Sequence, residues 1–222
     1  MRRLTLSFDN GPTAVHTDAM IDVLNAHDVR ATFFVVGEQM DDPGARETLE
    51  RAKASGHWIG NHTFSHGDPL GYSEDAARAA EEIGRAQDAI GSLSHPDRFF
   101  RPNGAGELGR HLLSRAAVEY LSEHRYTVVT WNNVPEEWNE PVEQWVDRAI
   151  ANMMKLDWSL LVIHDFLIGP MLGTLPRFIE RVRASGTQFV QEFPPDCVHM
   201  RRGVASPSLP TISMIGSAST AS

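Results

Sequence analysis

The feature that most constrains the fold is an alternation. Short apolar runs rich in β-branched and aromatic residues take turns with longer stretches whose apolar residues recur every three to four positions. Residues 4–8, 31–36, 98–101, 126–131, 159–163 and 187–190 read as strands, and residues 57–61 as a strand end. Between them, helical spacing predicts helices over 17–27, from the loop at 41–43 through 54, over 73–90, over 108–124, from Pro141 through Met153, and over 174–183. Thr17 and Thr174 are the expected caps, and Gly56 and Gly186 the expected terminators. Strand, helix, strand, repeated about seven times, predicts parallel strands with helices outside. Periodicity alone leaves an open sheet and a barrel equally allowed.

A chain of 222 residues, 41% hydrophobic and 22% charged, suits one α/β domain with a sizeable core. Its net charge of -9 argues against nucleic acid and against anionic membrane surfaces as partners. One cysteine, Cys197, excludes an intrachain disulfide. Arg2 and Arg3 are not followed by an apolar signal core, and no run is long enough to span a membrane, so the expected location is cytoplasmic. Residues 1–200 are read as the catalytic domain. Residues 201–222, rich in Ser and Pro, are read as a C-terminal tail, or an arm able to pack across a homodimer.

Chemistry-bearing residues sit just past the predicted strands. Asp9 follows the first strand and precedes Gly11-Pro12. A carboxylate there suits a general base on water, or simply a turn-making Asx residue. His62 and His66 are four apart, which on a helical turn would let both reach one metal; the plain alternative is two solvent histidines. His164 ends the run Leu-Leu-Val-Ile and suits a general acid, or a core histidine satisfied by backbone. Arg101 shares the placement. In parallel α/β folds reactive side chains gather at the carboxyl ends of strands, and that common position strengthens the functional reading of all of them. Trp131, Trp145 and Trp158 fall in apolar stripes and read as core.

The segments SFDNGP, ATFFVVG, GNHTFSH, FFRPNG and LLVIHD, in that order and spacing, resemble the polysaccharide deacetylase family (the NodB-homology domain, carbohydrate esterase family 4) over roughly residues 4–193. The resemblance implies a distorted (β/α) barrel of about seven parallel strands with outer helices. It implies a hydrolase that removes an acetyl group from an N-acylated carbohydrate with a divalent metal, zinc in the first instance. It also implies roles: Asp9 as catalytic base, His164 as catalytic acid, Arg101 holding the base, and Glu137 tuning His164. His62 and His66 match metal ligands. Trp138 matches the wall of the groove, and Pro102-Asn103-Gly104 the segment whose backbone N–H groups meet the oxyanion.

The sequence departs from the pattern at several points. Asn10 stands where the family's third metal ligand is an Asp. Asn keeps a carbonyl oxygen but brings no charge, which implies a weaker metal site, a different metal, or none. Glu137 is one methylene longer than the family's Asp, Val134 replaces an acid, and Gly104 replaces a frequent tyrosine. Two other readings therefore stand beside the deacetylase: a metal-independent hydrolase of a small amide, and a non-catalytic carbohydrate-binding relative.

Overall fold

The computed structural model describes residues 1–104, 107–139, 141–165 and 172–215, without the side chains of Ala14 and Val142. Helical spacing from Pro141 puts Val142 on the inner face with Trp145, Val146, Ala149 and Met153, and its side chain lies outside the described residues.

The central strand is β1 (Arg3–Gly11). On one side β6 (Trp158–His164) pairs with it in parallel over Arg3 to Asp9. On the other side it is shared. β7 (Gln188–Val190) takes Arg3 to Thr5, and β2 (Thr32–Val35) takes Ser7 to Gly11. The sheet continues through β3 (Trp58–Asn61), β4 (Phe99–Phe100) and β5 (Thr127–Val129), all parallel. Past β5 the chain curls back to β6: Asn133 N–H donates to the Leu160 carbonyl at 3.1 Å, and Val162 N–H to the Asn133 carbonyl at 3.0 Å. The result is a distorted barrel rather than an open sheet. Among the described residues the strands β1 to β7 are parallel, as expected. β8 (Val198–Arg201) and β9 (Val204–Ala205) add an antiparallel flap to β5 that the alternation did not foretell.

The alternation of β1 explains its two faces. Leu4, Leu6 and Phe8 join a core built with Met20, Ile21 and Leu24 of α1 (Ala14–Ala26), with Trp145, Val146, Ala149 and Met153 of α6 (Trp145–Met153), and with Leu175, Phe178, Ile179 and Val182 of α7 (Leu175–Ala184). Burying each Leu, Ile, Val, Phe or Met side chain among them contributes about 1.5–3 kcal/mol. Thr5, Ser7 and Asp9 are also buried, and each makes a polar contact: Thr5 to the Glu192 carbonyl, Ser7 to the Leu161 carbonyl, Asp9 to Arg101. The strand thus carries a polar row on the face away from the helices, ending in Asp9.

Several boundaries differ from the sequence reading. α1 starts at Ala14, after Thr13, not at Thr17. Thr17 lies in the first turn, where its hydroxyl accepts from Thr13 N–H and donates to the Asp165 carboxylate. The helix expected from 108 begins only at α5 (Arg115–Glu123). Ser114 caps it by accepting from Ala117 N–H, and Leu108 is half exposed. α2 (Ala45–Ala54) ends as predicted before Gly56, whose φ is +86°. The long helix expected over 73–90 is α3 (Ala76–Ala79), a π-helical turn (Ala80–Arg85) and α4 (Ala86–Ile90), run together, with Asp75 capping the start. The expected tail is part of the fold as far as Ile215: Leu209 and Ile212 are buried in a second core with Leu113, Ala117 and Leu121, and Ser213 bridges to Leu113. Its apolar residues had a local surface to cover. Residues 216–222 lie outside the described residues.

Candidate active site

Parallel register brings the candidate residues to one rim. Asp9 is the register partner of His164 on β6. Asn61, the last residue of β3, pairs with Phe100 of β4, so the next residues, His62 and Arg101, leave their strands side by side. All emerge at carboxyl ends of strands, where the sequence placed them.

Asp9 is buried and held by Arg101, which is fully buried. Arg101 Nη1 donates to Asp9 Oδ1 at 2.6 Å and to Ser7 Oγ at 2.9 Å, and Nη2 donates to the Thr130 carbonyl. The guanidinium also lies 3.9 Å over the Phe34 ring. Burial alone would raise the Asp9 pKa; the charge of Arg101 foremost, and its hydrogen bond, outweigh this and hold the carboxyl below its usual range. Asp9 is a carboxylate at neutral pH.

His62 follows β3 directly. Its Nδ1 lies 2.8 Å from the Arg101 carbonyl oxygen. A carbonyl can only accept, so Nδ1 carries the proton and Nε2 keeps its lone pair. That lone pair faces Asp9 Oδ2 at 3.5 Å. Burial pushes the His62 pKa down to about 4, so at neutral pH this is a meeting of two acceptors and not an ion pair. The His66 ring lies 5.0 Å from that of His62, and burial lowers its pKa too. The two imidazoles meet as expected, but not on a helical turn. Thr63 and His66 have φ of 68° and 51°, left-handed values that break any helix between them.

His164 has the opposite setting. Glu137 Oε1 accepts from the His164 backbone N–H at 2.7 Å and from its Nδ1 at 2.6 Å. Burial opposes protonation of His164, but the Glu137 hydrogen bond and charge overcome it, and the net shift is upward. The extra methylene of Glu137 is no obstacle to contact. The Trp138 ring, half exposed, stands 5.5 Å from the His164 ring.

These groups open on one cavity of about 600 Å³. Asp9, Asn10, His62, His66 and His164 give it a polar side; Pro102, Gly104, Trp131, Val134, Trp138 and Val162 give it an apolar one. Trp145 is core, as expected, and Trp158 packs on Arg3 and Phe99, whereas Trp131 is buried with its ring at the cavity wall. Of the segment expected to meet the oxyanion through its backbone, Pro102 and Gly104 line the cavity, and the Asn103 side-chain amide donates to the Gly67 carbonyl and ties the histidine loop to the segment after Arg101. Asn10, at φ 74°, presents a buried Oδ1 with no hydrogen-bond partner among the described residues.

Three further residues support the site from outside the cavity. Asp165 accepts from Thr13 Oγ1 at 2.6 Å and from Thr17 Oγ1, fastening the end of β6 to the start of α1. Asn61 receives Thr63 N–H at 2.9 Å, and Glu82 reaches the histidine loop from the π-helical turn. Asn61 carries a signal, its adjacency to His62. Glu82 is remote in sequence and carries none.

The sequence model of the family described as polysaccharide deacetylase matches residues 1–129. A peptidoglycan-N-acetylglucosamine deacetylase of Bacillus cereus is 26% identical over 191 residues, 84% of this chain. The chain spans 66% of that relative's length, just under two thirds. A chitooligosaccharide deacetylase of Sinorhizobium fredii is 31% identical over 164 residues, 72% of this chain and 70% of that protein. Among solved structures, T48 deacetylase with substrate superposes with a TM-score of 0.69 at 25% identity, covering 87% of this chain and 94% of that one. With a family match over more than half its length and a barrel of the same kind, the chain belongs to the polysaccharide deacetylase family.

Proposed function

We propose that this protein hydrolyses the N-acetyl group of an N-acetylated amino sugar within an oligosaccharide. The observation that carries the proposal is the pairing, across one cavity, of an ionised Asp9 with a His164 whose proton is held above its usual range. Such a pair is a base and an acid poised for opposite proton transfers. The names of the relatives, deacetylases of peptidoglycan N-acetylglucosamine and of chitooligosaccharides, support the same substrate class.

Asp9 Oδ1 is occupied by Arg101, so Oδ2 takes the proton from an attacking water. Glu137 takes His164 Nδ1, so the proton delivered to the departing amine comes from Nε2. Trp131, Val134 and Val162 give the acyl methyl an apolar wall and limit water around it. Trp138, half exposed at the cavity, suits the face of a sugar ring.

A divalent metal fits the donors on the polar side. His62 and His66 are neutral, the His62 tautomer leaves Nε2 as a ligand, and Asn10 Oδ1 is an unpaired buried acceptor. Bound by those three residues, zinc would polarise the amide carbonyl and acidify water. Asn10 brings no charge, and among the described residues no three His, Cys, Asp or Glu side chains form a metal-holding group. That neutral third donor favours, as a second reading, hydrolysis without a metal.

Steady-state assay on N-acetylglucosamine oligomers tests the proposal. Asp9→Asn and His164→Gln should each lower kcat by about 10²–10⁴-fold without changing the circular dichroism spectrum. Near-normal turnover in either variant overturns the assignment. Wild-type turnover that survives thorough chelation selects the metal-free reading.

A further inference from the structure

We propose that Glu82, on the π-helical turn Ala80–Arg85, is the positioning residue of the loop that carries His62 and His66, and through it of the metal those histidines hold. The inference rests on the metal reading above and adds to it a residue outside the cavity.

The loop needs support that its own sequence does not supply. Between the two histidines it has no helix and no strand. Thr63 and His66 sit at positive φ, which costs a non-glycine residue energy unless the surroundings impose it. Glu82 imposes it. Its Oε2 accepts from both amides in the middle of the loop, Phe64 N–H at 3.1 Å and Ser65 N–H at 3.0 Å. Its Oε1 accepts from Ser65 Oγ at 2.7 Å. One carboxylate therefore holds two consecutive amides and a hydroxyl, all flanked by the histidines. Hydrogen bonds to a charged acceptor are about twice as strong as neutral ones.

The rest of the turn works on the same loop. The Ile83 carbonyl accepts from Asn61 Nδ2 at 2.8 Å, while Asn61 Oδ1 accepts from Thr63 N–H. The Arg85 guanidinium lies 3.7 Å over the Phe64 ring. Three residues of one π-helical turn thus contact Asn61, Phe64 and Ser65, on both sides of His62. Turns of this kind are rare and recur at functional sites. Glu82 does not line the cavity, so its effect must pass through the loop.

The test compares Glu82→Ala and Glu82→Gln with wild type by competitive zinc titration, the cobalt(II) absorption spectrum, and amide hydrogen exchange at Phe64 and Ser65. Glu82→Ala should weaken zinc about 10–100-fold, alter the cobalt spectrum and speed exchange at both amides. Glu82→Gln should recover most of each, because its carbonyl can accept the two amides and its NH₂ can donate to Ser65 Oγ. Wild-type zinc affinity and an unchanged cobalt spectrum in Glu82→Ala overturn the proposal. Should Glu82→Ala not fold, Ser65→Ala removes the hydroxyl's bond to Glu82 Oε1 and the one it accepts from Gly67 N–H while both amide contacts to Glu82 stay, and its zinc affinity should fall by about fivefold; no change there overturns it equally. If wild type takes up no metal, the metal reading fails by itself. Exchange at Phe64 and Ser65 then decides the positioning role: unchanged exchange in Glu82→Ala rejects it, faster exchange upholds it.

Discussion

His62 and His164 flank the same carboxylate, and their imidazoles are driven in opposite directions. Burial is the largest influence on both, and it disfavours the charged form of both. What differs is the acceptor at Nδ1. For His62 it is the neutral Arg101 carbonyl, which fixes a tautomer without paying for a positive charge, and burial wins. For His164 it is the Glu137 carboxylate, which favours the imidazolium, and burial loses. One side of the cleft keeps imidazole lone pairs; the other favours a protonated ring. A single residue type serves both because the partner behind the ring, not the ring's exposure, sets its charge.

The comparison assumes that Asp9 is ionised, and Arg101 is what ionises it. Arg101→Met keeps bulk and removes the charge, leaving a buried carboxylate without its partner. A loss of about 3–5 kcal/mol of stability is expected, measured by urea unfolding at pH 7. The pH dependence should also reverse. In wild type the Asp9 pKa is lowered, so its contribution is present above the unfolded carboxylate pKa and is lost as pH falls through the folded value. In Arg101→Met burial raises the pKa, so stability is present at low pH and lost as pH rises. A variant that keeps wild-type stability at pH 7 breaks the comparison, because Asp9 would then be ionised by something else.

Glu137→Gln sharpens the other side. The amide oxygen can still accept from Nδ1 and from the backbone N–H, so the ring stays in place while the negative charge goes. With the Glu137 charge gone and only the charge of Asp9 left against burial, the His164 pKa falls. The alkaline limb of kcat, which the proposed mechanism assigns to loss of the His164 proton, should move down by about 1–3 pH units. A pH–rate profile over the neutral range reads this directly. An unmoved limb would mean that His164 is not the acid, or that Glu137 acts only by geometry.

How much of this was readable beforehand depends on the range of the interaction. Asp9, His62, Arg101 and His164 each follow an apolar run that had to be a strand, and parallel strands deliver their ends to one rim; local pattern was enough. The charge on His62 was not readable, since it depends on a carbonyl 39 residues away in the chain, and the partner of His164, Glu137, was legible only through the family resemblance. Glu82 was invisible for the same reason, at 18 residues from Phe64. The helical reading of His62 and His66 failed because spacing alone does not reveal left-handed residues in between. The Ser/Pro-rich end looked like a tail because its few apolar residues, Leu209 and Ile212 among them, have no sustained periodicity, and only the folded surface shows what these two cover.

The two sides are joined by a seam, and its tightness gives the smallest expected effect. Gly11 follows Asn10 on β1 and abuts Asp165, which follows His164 on β6. A Cβ built on Gly11 would stand 2.1 Å from Asp165 Oδ2 and 3.0 Å from its Cγ. The carboxylate cannot simply swing aside: it is fully buried and holds Thr13 Oγ1, Thr13 N–H and Thr17 Oγ1. Something must shift, either the Asn10 turn or the end of β6 that carries His164. Gly11→Ala should therefore cost about 1–3 kcal/mol by urea unfolding. Which side yields is the informative part. A change in zinc affinity with an unmoved alkaline limb places the strain on the Asn10 turn, while a moved limb with wild-type zinc binding places it at His164. Full stability together with both properties intact would mean that the seam is looser than its contacts imply, and that the two sides are set independently.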